Sequence, residues 1–244
     1  MITLNRKAKM NILKSLVDYG VDKGKNKKIK RVLVGQYAYV ELDDGNAGVS
    51  WVYKEWVNPM REIKEVPREA DLASQLINSH DPVEVSIGIA TINALSDKSN
   101  VLYGDPLDYI TIENNSKVAI IGYFKNYIDR LKDKVSLYVF ELRPQRESFV
   151  YPWYEEEYML DDMDYIIASG STIATKTIDR IAEHSKNSYL IVTGPTTPMV
   201  SEAFQGIASI IGGVSITDKE RIYELISMGY GFKLRFSKKI VKVL

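Results

Sequence analysis

At 244 residues, 45% of them apolar, the chain can bury a full hydrophobic core, either as one large domain or as two modest ones. Lys plus Arg and Asp plus Glu number 32 each, so the formal net charge of zero sets up no field favouring polyanions or anionic membranes, and nucleic acid is not an expected partner. The absence of cysteine excludes disulfides, thiolate nucleophiles and thiolate metal cages, and no apolar run approaches the roughly 20 residues of a membrane-spanning helix.

Met10, Ile12, Leu13, Leu16 and Val17 recur at helical spacing and predict a first helix, followed by a basic turn from Lys23 to Arg31 that reads as a solvated loop. Short β-rich runs at Arg31–Gln36, Ala38–Leu42 and Val49–Val52, punctuated by Gly35 and the turn Asp43-Asp44-Gly45-Asn46, predict an antiparallel meander. Two helices follow. The first covers about Arg68 to Ile77; the second opens at Asp81, where Asp81, Pro82 and Glu84 supply an N-cap, a first-turn proline and a capping-box acid. Apolar residues from Val83 to Leu95 then cover every face, which predicts a helix buried on most sides, with Gly88 permitting close packing and the amide of Asn93 in need of partners.

From Ser96 to Ser116 the apolar pattern weakens, and the domain boundary is expected there, with one domain over residues 1–105 and another over 106–244. Beyond it the runs Val118–Ile121, Ser136–Phe140, Tyr165–Ala168 and Tyr189–Val192 alternate with helical segments, the signature of parallel strands buried on both faces. Ile207–Ile211 and Val214–Ile216 flank Gly212 and Gly213, a helix capped by Thr217 or Asp218 runs to about Ser227, and Phe232–Val243 supplies one or two edge strands. The fold class is therefore α/β, its C-terminal half a Rossmann-like, mostly parallel sheet. The acidic block from Glu155 to Asp164 reads as a solvated helix and exit turn whose buried side is Tyr158, Met159 and Leu160.

Ligands of open parallel sheets bind beyond the carboxyl ends of the strands. Four strand ends here carry suitable groups: Gly122 with Tyr123 after the first, Glu141 after the second, Gly170, Ser171 and Thr172 after the third, and Gly194, Pro195, Thr196 and Thr197 after the fourth. Gly122 stands without the further glycines of the dinucleotide fingerprint, so standard NAD binding is disfavoured and no cofactor is assigned. The last two loops present hydroxyls that suit an anion. His80 and His184 read as structural residues, which leaves a poor donor set for a soft metal.

The segments IGIATINALS (87–96), VAIIGYF (118–124), VFEL (139–142), ASGSTIATKT (168–177) and GPTTPM (194–199) resemble the DUF364 family, labelled for heavy-metal chelation, together with its DUF4213 N-terminal companion. The resemblance implies an enolase-N-terminal-like α+β domain joined to the Rossmann-like domain, with a cleft between them. Thr175 and Lys176 replace an asparagine and a glycine of the family pattern, and Thr196 replaces a serine. The expected function is binding of a small anionic ligand, a metal chelate or chelator among the candidates, between Asn93 and the four strand-end loops. The alternatives are a nucleotide- or S-adenosylmethionine-binding transferase and a non-catalytic regulatory module. Catalytic residues and metal ligands are not assigned, enzymatic activity and homo-oligomer formation stay open, and without an apolar leader the expected location is the cytoplasm.

Overall fold

The computed structural model describes residues 11–62, 64–143, 146–231 and 234–244; Met10 and Phe232, expected in the first helix and the last strand region, lie outside them. Helix α1 (Ile12–Gly24) starts on Asn11, whose side chain accepts the Lys14 N–H. It leads into a three-stranded antiparallel meander of β1 (Ile29–Val34), β2 (Tyr37–Leu42) and β3 (Ala47–Trp51) in the order β1-β2-β3. The helix expected over 68–77 is shorter and tighter: α2 (Ala70–Ser74) passes into a 3-10 turn over Gln75–Asn78. The Ser74 hydroxyl bonds back to the Asp71 carbonyl, competing with a continued α-helical ladder.

Helix α3 (Pro82–Leu95) starts where the sequence places it, with Asp81 Oδ1 accepting the N–H groups of Val83 and Glu84 at 2.7 and 3.3 Å. The expected capping box closes through an intermediary, because the Ser79 hydroxyl accepts the Asp81 N–H and donates to the Glu84 carboxylate. The helix is buried on both sides: Val83, Ile87, Ala90 and Ala94 pack on the meander, while Val85, Ile89 and Ile92 join the core of the second sheet. Gly88 lies against the Ile77 backbone, where a Cβ would come within 2.5 Å of the nitrogen, so close packing requires glycine there.

The second sheet has eight strands: β4 (Leu102–Tyr103), β5 (Lys117–Ile121), β6 (Ser136–Glu141), β7 (Val150–Pro152), β8 (Tyr165–Ser169), β9 (Tyr189–Thr193), β10 (Ile210–Ile216) and β11 (Ser237–Val243). Their order is β4-β11-β10-β9-β8-β5-β6-β7, with the six strands β5 to β10 mutually parallel and β11 and β4 added antiparallel. Three features differ from the sequence reading. The glycine pair does not divide two runs but lies inside β10, where Gly212 faces the Pro106 ring and Gly213 faces Met199. β11 is covered by β4, so it is not an edge strand. The short β7 was not anticipated.

Between the strands run α4 (Lys125–Leu131), α5 (Glu156–Met159), α6 (Ser171–Ala174), α7 (Ile178–His184), α8 (Ser201–Phe204) and α9 (Lys219–Ser227). One face of the large sheet packs α1, α3, α7 and α8, and the other packs α4. Helix α9, capped by Asp218, crosses to the far side of the meander, where Ile222 and Ile226 meet Tyr39 and Val49. Every residue from Ala38 to Leu42 is buried as a result. No described helix is long and apolar enough to cross a membrane.

Candidate functional site

Numbered from β5, the six parallel strands lie in the spatial order 3-2-1-4-5-6, so the winding direction reverses between β5 and β8. At such a switch point the loops leave in opposite directions and open a crevice. The chain passes it at Gly122, whose φ of +96° is a left-handed conformation that side-chain-bearing residues rarely adopt. A cavity of about 1010 Å³ occupies this crevice.

Nine of the sequence-derived site residues line it: Gly122 and Tyr123, Glu141, the loop Gly170-Ser171-Thr172, and the loop Gly194-Pro195-Thr196. Asn93 and Thr197 are not among the lining residues. The Asn93 amide donates to the carbonyls of Val49, at 2.9 Å, and Thr196, at 3.1 Å, so it clasps the meander to the fourth loop. Thr196 completes the clasp, its hydroxyl accepting the Trp51 N–H at 2.9 Å. Strand β3 is the open edge of its sheet, and an edge strand needs partners for its backbone groups; the second sheet's loop provides them. Thr197 Oγ1 is buried with no hydrogen-bond partner, packed where a Cβ on Gly170 would stand 2.4 Å away.

The hydroxyls of the third loop are less available for an anion than the sequence suggested. Thr172 Oγ1 donates to the Ser169 carbonyl at 2.6 Å, and Ser171 Oγ bonds Ser169 Oγ at 2.8 Å. Glu141 sits at the end of β6, its oxygens accepting the N–H groups of Tyr123 at 2.8 Å and Arg143 at 3.2 Å.

The remaining walls were not found by sequence reasoning. The meander contributes Tyr37, Trp51, Tyr53 and Trp56; the stretch after β7 contributes Trp153 and Glu156. Tyr53 stacks on Trp56 with centroids 4.4 Å apart, and Trp51 meets Tyr37 edge-on at 5.3 Å. A usable signal existed: Trp51, Tyr53 and Trp56 crowd three aromatics into six residues outside any core periodicity. Thr175 and Thr177 also line the cavity, their hydroxyls 2.9 Å apart. Between them Lys176 has a φ of +62°, at the position where the family resemblance expects glycine.

Glu156 corrects the reading of the acidic block. Its buried side is Glu156 and Leu160, four residues apart on one face, whereas Tyr158 is 80% exposed. Burial pushes the Glu156 carboxyl up to about 7, opposed by the charge of Arg180. Among the described residues three carboxylates, Glu55, Glu141 and Glu156, face the cavity beside the guanidinium of Arg143, which pairs with Glu55 at 3.0 Å. Burial raises the Tyr53 phenol, a hydrogen bond with Ser171 opposes this, and the charges of Glu141, Glu55 and Glu156 add to it. All three carboxylates are thus felt at one hydroxyl. Burial pushes Tyr37 up to about 12.

Residues 105–244 match the DUF364 family and residues 18–96 match DUF4213, both described as "Putative heavy-metal chelation". The chain belongs to the DUF364 family. A crystallised DUF364 protein of unknown function from Pyrococcus horikoshii superposes with a TM-score of 0.85 at 26% identity, covering 96% of this chain and all of that one. Another, from Desulfitobacterium hafniense, gives 0.82 at 20% identity over 95% of this chain and 99% of that one, a likeness of fold. An uncharacterised protein of Methanocaldococcus jannaschii is 29% identical over 161 residues, a match spanning 60% of each chain.

The DUF364 description names a metal, and the donors of this chain can be tested against one. Cysteine is absent, His80 is exposed, and His184 Nδ1 lies 3.0 Å from Asp161 at the end of α7. Among the described residues no three His, Asp or Glu side chains are grouped to hold a metal ion. A bare thiophilic cation therefore does not fit this donor set.

Proposed function

We propose that this DUF364 protein binds a small organic ligand in the cavity at the switch point, and that any metal enters as a complex with that ligand. One observation carries the reading: the crevice at the strand ends is roofed by aromatic residues of the three-stranded meander and the turn that follows it, which gives a large concave site with apolar walls and a few polar groups. The expectation of an anionic ligand is revised. Strand-end hydroxyls suggested it, but among the described residues three carboxylates against one paired guanidinium make the lining unfavourable to negative charge.

Native mass spectrometry of the full chain, beside calorimetric titration with zinc and cadmium salts, tests this. The expected result is a copurifying small-molecule mass that is lost in Trp51→Ala, and no tight stoichiometric uptake of either free ion. A tight site for zinc or cadmium in the bare protein would overturn it, because that requires a complete donor shell, which the described residues do not provide.

A nucleoside-bearing ligand is the second reading, favoured by the position of Glu141 at the end of the strand next to β5. A carboxylate at that place in this strand order suits a ribose, and each oxygen keeps accepting capacity beside its one backbone N–H. Titration with adenosine decides it, with saturable binding lost in Glu141→Gln as the supporting result.

A further inference from the structure

Glu156 is the feature of the cavity that folding does not explain. The residue is only 4% exposed, yet its carboxyl makes no hydrogen bond and no ion pair among the described residues. Arg180, the one cation among the described residues whose charge reaches it, is paired at 3.5 Å with the neighbouring Glu157. A buried carboxyl without a partner opposes folding and is kept where a ligand or a reaction uses it.

The other charged groups of the lining are already engaged. Glu55 holds Arg143, and Glu141 accepts two backbone N–H groups. Glu156 alone retains its full accepting capacity, and it lines the same cavity as several indole and phenol rings. All three tryptophans of the chain, Trp51, Trp56 and Trp153, line this one cavity. Ring faces attract cations and repel anions, so rings and carboxylates act in the same sense.

Resting on the reading of the cavity as a ligand site, we propose that it selects a small organic cation, an amine or quaternary ammonium, with Glu156 as its counter-ion and the surrounding rings as its cation–π wall. An organic cation satisfies each part of the site at once. It supplies the missing partner of Glu156, and its alkyl groups cover the aromatic faces while its charge offsets the excess carboxylate. A hydrated inorganic ion would leave the rings unused, and an anion would meet three carboxylates.

Because every tryptophan lines the cavity, intrinsic tryptophan fluorescence reports on it without a label. Three probes sharing a phenyl group and differing in charge, benzyltrimethylammonium, benzyl alcohol and phenylacetate, are titrated into the full chain at pH 8. The cation is expected to bind at least about tenfold more tightly than the alcohol, the contribution of a partly desolvated cation–π and charge contact, and phenylacetate is expected to give no saturable change. In Glu156→Gln the cation should fall to the level of the alcohol, with circular dichroism and alcohol binding unchanged. Glu55→Gln, which alters a carboxylate already paired, should keep most of the preference.

Phenylacetate bound as tightly as the cation, or a preference that survives Glu156→Gln, overturns the proposal. Saturable binding of all three probes at one affinity also overturns it while leaving the ligand cavity standing. No saturable response to any probe removes both.

Discussion

The chain buries two carboxylates, Glu41 in β2 and Glu156 in α5, and treats them in opposite ways. Glu41 is surrounded by partners: Arg31 Nε at 2.5 Å, the Tyr39 hydroxyl at 3.0 Å, and the ammonium groups of Lys30 and Lys219 at 3.2 and 3.7 Å. Burial works against its charge, but these hydrogen bonds outweigh burial and hold its carboxyl below the ordinary glutamate range. Arg31 also reaches Glu220 at the start of α9 and lies over the Tyr223 ring, so this network fastens α9 to the meander. Glu156 has no such company and is pushed up to about 7. The carboxylate that holds the fold brings its partners from the chain, whereas the one facing the cavity has none among the described residues.

The largest effect should come from breaking the partnered site. Glu41→Ala leaves Arg31 and Lys30 facing each other beside an empty, buried position and should cost about 3 kcal/mol in urea denaturation. A cost under about 1 kcal/mol, the range of exposed ion pairs, would show that the network is ornamental. Asn93→Ala is next. It strips the donor from two carbonyls at the junction of the sheets and should cost about 2 kcal/mol, with faster proteolysis if the clasp is what closes the two sheets together.

Glu156→Gln should move stability the other way. The folded carboxyl titrates near 7 and the unfolded one near 4.5, so the folded state holds the proton more tightly. Stability from this group is present below about pH 4.5 and is lost as pH rises through 7. The glutamine variant should therefore gain on the order of 2 kcal/mol over the parent at pH 8 and almost nothing at pH 4, in denaturation curves at the two values. Glu41 has the opposite sign: its contribution is present above the ordinary glutamate range and fades as acid is added. Two like-signed slopes would erase the contrast between the two sites.

The smallest effect sharpens the same contrast. Lys176 lies between two cavity-lining threonines, but its ammonium donates to the Ser79 carbonyl at 2.5 Å and is not paired with Glu156. Lys176→Gly should leave the pH dependence due to Glu156 in place. By relieving a left-handed φ of +62° while giving up that hydrogen bond, it should change stability by no more than about 0.5 kcal/mol.

Local chemistry made much of the fold readable. The cap Asp81-Pro82, the turn at Asp43–Asn46 and the continuous apolar runs fix their own conformations through neighbours in sequence, and each of these elements is where the sequence reading put it. The strand-end loops were legible for the same reason: Gly122, Glu141, Ser171 and Thr196 stand at the carboxyl ends of parallel strands, and nine such residues share one cavity. The resemblance to DUF364 was likewise carried by short contiguous segments.

Contacts between distant segments were decided only by the tertiary structure. Asn93 could be seen to need partners, but nothing local showed that they would be the carbonyls of Val49 and Thr196, the latter 103 residues away. The acidic block looked solvated because charge density predicts exposure; Glu156 is buried because α5 is set down beside the cavity, an outcome of sheet order and not of its own neighbours. The aromatic roof is the clearest case. Trp51, Tyr53 and Trp56 follow closely on one another at the end of β3, and they become the wall of a cavity only because the Asn93 clasp holds the meander over the switch point. Sequence patterns fix elements because those depend on near neighbours, whereas a cavity between sheets exists only after both sheets have packed.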